Sequence, residues 1–177
     1  MRVIAGTLGG RQFDSPKSFK THPMSDKARG GLFNILGDVE GLTFLDAFAG
    51  SGALSFEAVS RGATIAVAID NDRFAQKVIA NNIHALGLRG KVKLISASAN
   101  AWLQTSSPDD MFDIVLCDPP YSDLQTSLIA RLAERVKTRG LLVLSWPAGT
   151  ERPLFEGLQQ IEMRGYGDAT LIFYRKG

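Results

Sequence analysis

From residue 42 to residue 145, short apolar runs alternate with helix-patterned segments, and no other feature of this 177-residue chain narrows its fold as far. Runs such as Ile65–Ile69 and Phe112–Cys117 are too short for helices and carry little polar alternation. That pattern belongs to strands covered on both faces. The reading places strands over Leu42–Asp46, Ile65–Ile69, Lys91–Ile95, Phe112–Cys117 and Leu141–Ser145. Helices are expected over Ser25–Leu36, Ala53–Arg61, Arg73–Leu86, Asn100–Gln104 and Ser122–Val136, with Gly30 and Gly31 weakening the first. The tail changes character: Gln159–Arg164 and Thr170–Tyr174 flank Gly165-Tyr166-Gly167-Asp168, a hairpin signal. Strands that alternate with helices demand right-handed crossovers. The predicted architecture is therefore an α/β sandwich, a mainly parallel seven-stranded sheet closed by a C-terminal antiparallel hairpin. It forms one domain over residues 1–177, with an arm at 1–23 and a core at 24–177. Ligands in such a sheet sit at the carboxyl ends of its strands, near the point where strand order reverses.

The first of those carboxyl ends reads Phe44-Leu45-Asp46-Ala47-Phe48-Ala49-Gly50-Ser51-Gly52, and a helix follows. Glycine lets backbone approach a ligand closely, and a helix N-terminus offers free N–H groups. A tight strand-to-helix turn would use the same residues. Two details point to a ligand. Asp70 closes the second strand, eighteen residues after Gly52, where a carboxylate accepts hydrogen bonds from ribose hydroxyls, with Asn71 beside it. Asp46 puts an anion at the tip of strand one, which repels a pyrophosphate and attracts an ammonium or sulfonium group. Ser55 also stands where the dinucleotide fingerprint has its third glycine. A cationic nucleoside without phosphates fits better than a nicotinamide dinucleotide, and S-adenosylmethionine is such a ligand. Ser98 and Ala99, past strand three, lie where an adenine ring would be edged; Ser98 serves equally well as an N-cap.

Strand four runs into Asp118-Pro119-Pro120-Tyr121. The two prolines stop the strand and fix the direction of the preceding carbonyls. An exocyclic base nitrogen is a poor nucleophile because its lone pair is delocalised into the ring. The Asp118 carboxylate and the Pro119 carbonyl would accept its two N–H groups and aim the lone pair, while Tyr121 offers a stacking face. The plainer reading is a turn with an N-capping Asp. No metal is expected in either case.

These residues resemble the bacterial 16S ribosomal RNA guanine-N2 methyltransferases, the RsmD family, over essentially the whole chain. The resemblance is carried by Leu45 to Leu54, Glu57 to Ala63, Asp70-Asn71-Asp72-Arg73, Asn82, Asp118-Pro119-Pro120-Tyr121, and the closing Tyr166-Gly167-Asp168 with Phe173-Tyr174. Arg2-Val3-Ile4-Ala5-Gly6, Gly10-Arg11 and Lys27, Arg29, Leu32, Phe33, Asn34 match the family's opening segment and first helix. It implies a Rossmann-like class I methyltransferase that uses S-adenosylmethionine, releases S-adenosylhomocysteine and acts on 16S ribosomal RNA or the small ribosomal subunit. His22-Pro23-Met24, Gly9 and Gly30 depart from the family's pattern and bear on substrate more than on chemistry. Adenine-N6 and protein glutamine-N5 methyl transfer share the reaction motif. A nicotinamide-dependent oxidoreductase shares the fold, and a non-catalytic RNA-binding protein is the last alternative.

Charge bears on the RNA question. The net charge is only +2, but residues 1–29 hold six cations, Arg2, Arg11, Lys17, Lys20, Lys27 and Arg29, against Asp14 and Asp26. A basic arm on an acidic body suits a polyanion, and Arg2, Arg11, Lys27 and Arg29 are the expected RNA contacts; a solvated segment is the plainer alternative. Phe13 and Phe19 are its expected anchors. Cys117 reads as a core thiol in a reducing cytoplasm, and Trp102 and Trp146 as packing residues. His22 and His84 lack partners, and Glu57 either orients the glycine loop or is solvated or bonded to backbone. The N-terminus lacks the apolar run of a signal peptide, and no segment reaches the ~18 apolar residues of a membrane span. A cytoplasmic monomer is expected.

Overall fold

The computed structural model describes residues 1–17 and 23–177. Phe19, Lys20 and His22 lie outside the described residues. Five parallel strands, β1 (Thr43–Asp46), β2 (Ile65–Asp70), β3 (Val92–Ser96), β4 (Phe112–Cys117) and β5 (Val136–Pro147), alternate with helices α2 (Ala53–Ser60), α3 (Arg73–Ala85), α4 (Ala99–Thr105) and α5 (Thr126–Ala133). Helix α1 (Asp26–Leu36) precedes them, and β6 (Leu158–Tyr166) and β7 (Ala169–Lys176) close the chain. The seven strands run in the order β3-β2-β1-β4-β5-β7-β6, with β7 antiparallel to both its neighbours. This is the Rossmann-like sandwich with a terminal hairpin. Strand order reverses between β1 and β4, so the loops leaving their carboxyl ends part and open a crevice.

Alternation along β1 explains why the sheet is buried on both sides. Phe44 enters a core with Phe33, Phe56, Ile79 and Phe173, whereas Leu45 enters a second core with Trp102, Ile129, Leu144 and Tyr174. Neighbouring residues of a strand point to opposite faces, so one strand feeds both layers.

Helix α1 forms where it was expected, and α5 and β5 differ from the expected elements, each for a physical reason. Helix α1 persists through Gly30 and Gly31 because Ser25 caps its N-terminus, accepting from the Ala28 amide at 3.1 Å. Gly31 also makes room for a neighbour, since a Cβ there would lie 1.8 Å from the Tyr166 hydroxyl. Helix α5 is shorter than Ser122–Val136: Gln125 at its N-cap takes φ +47°, and Val136 already pairs with Phe112 as the start of β5. Strand β5 is correspondingly longer than Leu141–Ser145.

The arm is less separate than its composition implies. Val3 and Phe13 are buried in the first core, and Phe13 meets Phe56 edge-on with ring centroids 5.2 Å apart. Residues 1–13 fold back on themselves through Val3 N–H to Arg11 O (2.9 Å), Gly10 N–H to Val3 O (2.8 Å) and Phe13 N–H to Met1 O (3.0 Å). This hairpin lies on α2, all eight residues of which are buried. The Ser60 hydroxyl donates to Ala5 O at 2.6 Å and accepts from Leu8 N–H at 2.9 Å. Gly6 must be glycine: it sits at φ +80°, and a Cβ would fall 1.9 Å from Ser60 O. Asn82 fastens the end of the arm by exchanging two bonds with the Asp14 backbone, at 3.1 and 2.8 Å.

Candidate active site at the carboxyl edge of the sheet

Three carboxylates meet where β1, β2 and β4 end. Asp46 is buried, and its Oδ2 accepts a 2.8 Å bond from the Ser55 hydroxyl one turn into α2. Its Oδ1 is also buried and has no partner among the described residues. Burial pushes this carboxyl up to about 7; the Ser55 bond opposes the rise, and the charges of Asp118 and Asp70 add to it. A buried carboxylate with one free oxygen is costly unless a cation or donor reaches it.

Asp70 ties two loops together. It accepts from the Gly50 amide at 2.7 Å through one oxygen and from the Asp72 amide at 2.8 Å through the other. Burial raises its pKa, and the backbone bonds hold the rise back. Asp70 is only half-buried, so its carboxylate keeps accepting capacity beyond these bonds. The glycine loop itself is set by Gly52, the N-cap of α2, at φ +81° with the Phe56 ring packed against it. Its N-cap being glycine, that helix has no cap side chain of its own, and the Ser51 hydroxyl accepts from its first amide, Ala53 N–H, at 3.4 Å.

Asp118, at the tip of β4, lies on the far side of the crevice. Burial pushes its carboxyl up to about 6, opposed by a hydrogen bond with the Ser145 hydroxyl of β5. The Tyr121 hydroxyl shares a 2.9 Å hydrogen bond with the same Ser145 oxygen and reaches Trp146 O at 3.4 Å. The Tyr121 ring is 38% exposed and Pro119 is buried, so the motif presents an aromatic face over a fixed backbone turn. Beside Asp118 and Ser145, a narrow apolar slot is walled by Met24, Leu32, Leu54, Val143 and Leu171.

The structure thus brings Asp46, Ala47, Phe48, Gly50, Ser51, Gly52, Asp70 and Asn71 to one rim of the crevice and Asp118, Pro119, Pro120 and Tyr121 to the other. Ser98 accepts from the Ala101 amide at 3.1 Å as the N-cap of α4, and Ala99 is buried behind it. Of the four cations expected at RNA, Arg29 must be withdrawn. It is fully buried, donates to Arg2 O at 2.7 Å and Asp26 Oδ1 at 2.9 Å, and lies 3.9 Å from Glu57. Arg2 is exposed and paired with Asp26 at 3.1 Å. Lys27 and Arg11 are exposed, Arg11 donating to Ala85 O and Leu86 O at the end of α3. Glu57 takes the backbone-bonding role, accepting from Ile4 and Ala5 amides at 2.8 and 3.1 Å and from Arg61 at 2.7 Å. Cys117 is buried and its thiol is pushed up by burial; Trp102 and Trp146 are buried too. Among the described residues no group of three His, Cys, Asp or Glu side chains is placed to hold a metal, and no helix is long and apolar enough to cross a membrane.

Ser55 and Ser145 are the two side chains that sequence reasoning missed. Ser55 counted only as a break in the dinucleotide fingerprint. Ser145 is a lone hydroxyl in the apolar run Leu141–Trp146, which is the one signal that could have flagged it.

A family model described as conserved hypothetical protein 95 matches residues 1–175. YlbH of Bacillus subtilis, named as a candidate rRNA methyltransferase, is 29% identical over 99% of each chain. Ribosomal RNA small subunit methyltransferase D of Escherichia coli is 37% identical over 123 residues, 68% of this chain and 60% of that relative's length. The solved structure of YhhF from Escherichia coli, a candidate methyltransferase, superposes with a TM-score of 0.89 at 27% identity, covering 99% of this chain and 97% of that one.

Proposed function

The chain belongs to the conserved hypothetical protein 95 family, the RsmD-like family its motifs resemble, and on that premise we propose that it methylates ribosomal RNA of the small subunit. We read the cofactor as S-adenosylmethionine and the target as the exocyclic N2 amine of a guanine. One observation carries the reading: a buried, half-partnered Asp46 faces the Asp118–Tyr121 motif across the strand-order switch point. The residues present fit the cofactor. The free oxygen of Asp46 suits a cationic amino-acid portion, the glycine loop admits close approach, and the remaining accepting capacity of Asp70 suits ribose hydroxyls. When bound, S-adenosylmethionine supplies an electrophilic methyl group on a sulfonium.

The chain's own residues do the rest. The Asp118 carboxylate and the Pro119 carbonyl accept the two amine protons, which orients the nitrogen lone pair toward the reaction centre. Tyr121 stacks on the base, its hydroxyl held by Ser145. After transfer the methylated nitrogen is acidic and releases one proton, which Asp118 is placed to take. Asp118 can take that proton only when ionised, so its rise to about 6 leaves it competent at neutral pH.

The test is to incubate the protein with radiolabelled S-adenosylmethionine and, separately, small-subunit RNA, intact subunits, DNA and a protein extract. Label recovered as N2-methylguanosine from the RNA or the subunits is the expected result. Label in adenine or glutamine would move the target, and no label on any substrate would overturn the enzyme reading.

A further inference from the structure

Helix α3 starts at the carboxyl end of β2, beside Asp70, and turns an unusual face to solvent. Its thirteen residues, Arg-Phe-Ala-Gln-Lys-Val-Ile-Ala-Asn-Asn-Ile-His-Ala, include no acid. Ala75, Ile79, Asn82 and Ile83 face inward, which turns Arg73, Lys77 and His84 directly outward with Phe74 and Asn81 on one flank; all five are exposed. Phe74 is 77% exposed, twice the 38% of Tyr121. Both aromatic rings leave the same edge of the sheet, one after β2 and one after β4, on either side of β1. At the far end of α3 the guanidinium of Arg11 is docked on Ala85 O and Leu86 O, at 2.9 and 3.4 Å, extending the basic line. Asp72 abuts the near end, but its carboxylate accepts from the Phe74 and Ala75 amides at 2.8 and 2.9 Å.

We propose that this face of α3 is a track for a single-stranded stretch of the substrate RNA beside the target guanine: a neighbouring base stacks on Phe74, and successive phosphates pass Arg73, Lys77 and Arg11. The inference rests on the ribosomal RNA reading above and adds to it where the strand runs. An aromatic ring set among cations at the rim of a site matches single-stranded nucleic acid, in which bases stack and phosphates are neutralised in turn. A core role is ruled out by exposure, since Phe74 contributes almost no buried surface to the fold. Along about 20 Å of helix the track reaches from the crevice to the arm, so the arm's contribution to RNA binding comes through Arg11 at its end.

The experiment measures binding of the full chain to transcribed small-subunit ribosomal RNA over a range of KCl, with cofactor affinity measured by calorimetry in parallel. Arg73→Gln with Lys77→Gln preserves helix propensity and should flatten the log–log salt slope by about 1.5, the value for two phosphate contacts. Phe74→Ala should weaken binding about tenfold with its slope intact, because it removes stacking and no charge. Both variants should bind S-adenosylmethionine as the parent does. Unchanged RNA affinity and slope in variants of a parent that methylates the RNA would overturn the track alone. Weakened cofactor binding with RNA binding intact would also overturn it, assigning the face to the cofactor. A parent that neither binds nor methylates the RNA overturns both readings.

Discussion

Glu57 and Asp46 are carboxylates on adjoining elements, both out of contact with solvent, yet their surroundings differ in kind. Glu57 accepts two backbone amides and the Arg61 guanidinium, with Arg29 at 3.9 Å. Asp46 has one hydroxyl on one oxygen and nothing on the other, and two further carboxylates stand near enough to raise it. In the first arrangement the acid is matched by cations within the chain, although Arg29 keeps two buried nitrogens without a hydrogen-bond partner, and it clasps the arm to α2. The second lacks a cation. A fold tolerates that cost where a ligand offsets it, so the buried, under-partnered acid is the one we propose as a binding residue, while the equally buried, fully partnered one serves as a joint.

The sharpest way to break this contrast is to disable the joint. Glu57→Ala leaves Arg29 buried with a partner missing and frees the Ile4 and Ala5 amides. Breaking a buried pair from one side costs about 3–5 kcal/mol, so thermal unfolding should drop by roughly 10 °C. A melting temperature within a degree of the parent would show that the clasp carries no weight.

Asp118→Ala tests the opposite rim. Cofactor affinity should be unchanged, since the proposed cofactor residues lie at or past the ends of β1, β2 and β3, while kcat should fall by about 10²–10³, the usual loss when one preorganised partner of the reacting group is removed. Single-turnover methylation near the parental rate would remove Asp118 from the mechanism.

Asp46→Asn should separate function from stability in one variant. The folded carboxyl titrates at about 7 against an ordinary 3.8, so between those pH values the folded state binds the extra proton. Stability from this group is therefore present at low pH and lost as pH rises toward 7; the cost above pH 7 is on the order of 4 kcal/mol. The amide keeps an acceptor for Ser55 and carries no charge, so at pH 8 the variant should gain roughly 2 kcal/mol or more while cofactor affinity falls. Denaturant unfolding at pH 5 and pH 8 reads the first effect and calorimetry the second. Equal stability of the two proteins at pH 8 would show that Asp46 is not strained when ionised.

What was legible in the sequence follows the same division. The strand tips, the glycine loop and the Asp-Pro-Pro-Tyr turn depend on local periodicity and on residues a few positions apart, so the sheet and both rims could be read directly. The joint could not. Arg29 and Glu57 pair across helices α1 and α2, and a cation that ends up buried is indistinguishable in sequence from one that stays in water. The charge of residues 1–29 therefore pointed to RNA, although one of those cations, Arg29, is a core residue and another, Arg11, is spent partly on α3. Ser55 and Ser145 escaped for a related reason. Each acts through a partner on another element, and a single hydroxyl carries no pattern.

Ser145 gives the smallest predicted effect and the finest test of the contrast. Its hydroxyl shares a 2.9 Å bond with Tyr121 and lowers the pKa of Asp118, so it partners an acid on the proposed catalytic rim much as Arg61 partners Glu57 at the joint. A neutral hydroxyl supplies far less than a guanidinium, about 1 kcal/mol for a typical bond. Ser145→Ala should accordingly leave melting and cofactor affinity almost unchanged. Its mark should lie in the pH profile. On the proposed mechanism Asp118 acts as the carboxylate, so activity should be lost as pH falls through about 6. Without the hydroxyl that carboxyl rises further, and the acid limb of kcat moves to higher pH. The rate deficit should therefore be several-fold at pH 6 and slight at pH 8, and Ser145→Thr, which restores the hydroxyl, should return the limb to its place. Tyr121→Phe separates the two bonds, since it removes the phenol from Ser145 and keeps the stacking face. If the limb stays fixed in Ser145→Ala while activity drops equally at every pH, the hydroxyl braces Tyr121 alone, and the proposed catalytic rim holds Asp118 by burial without a partner.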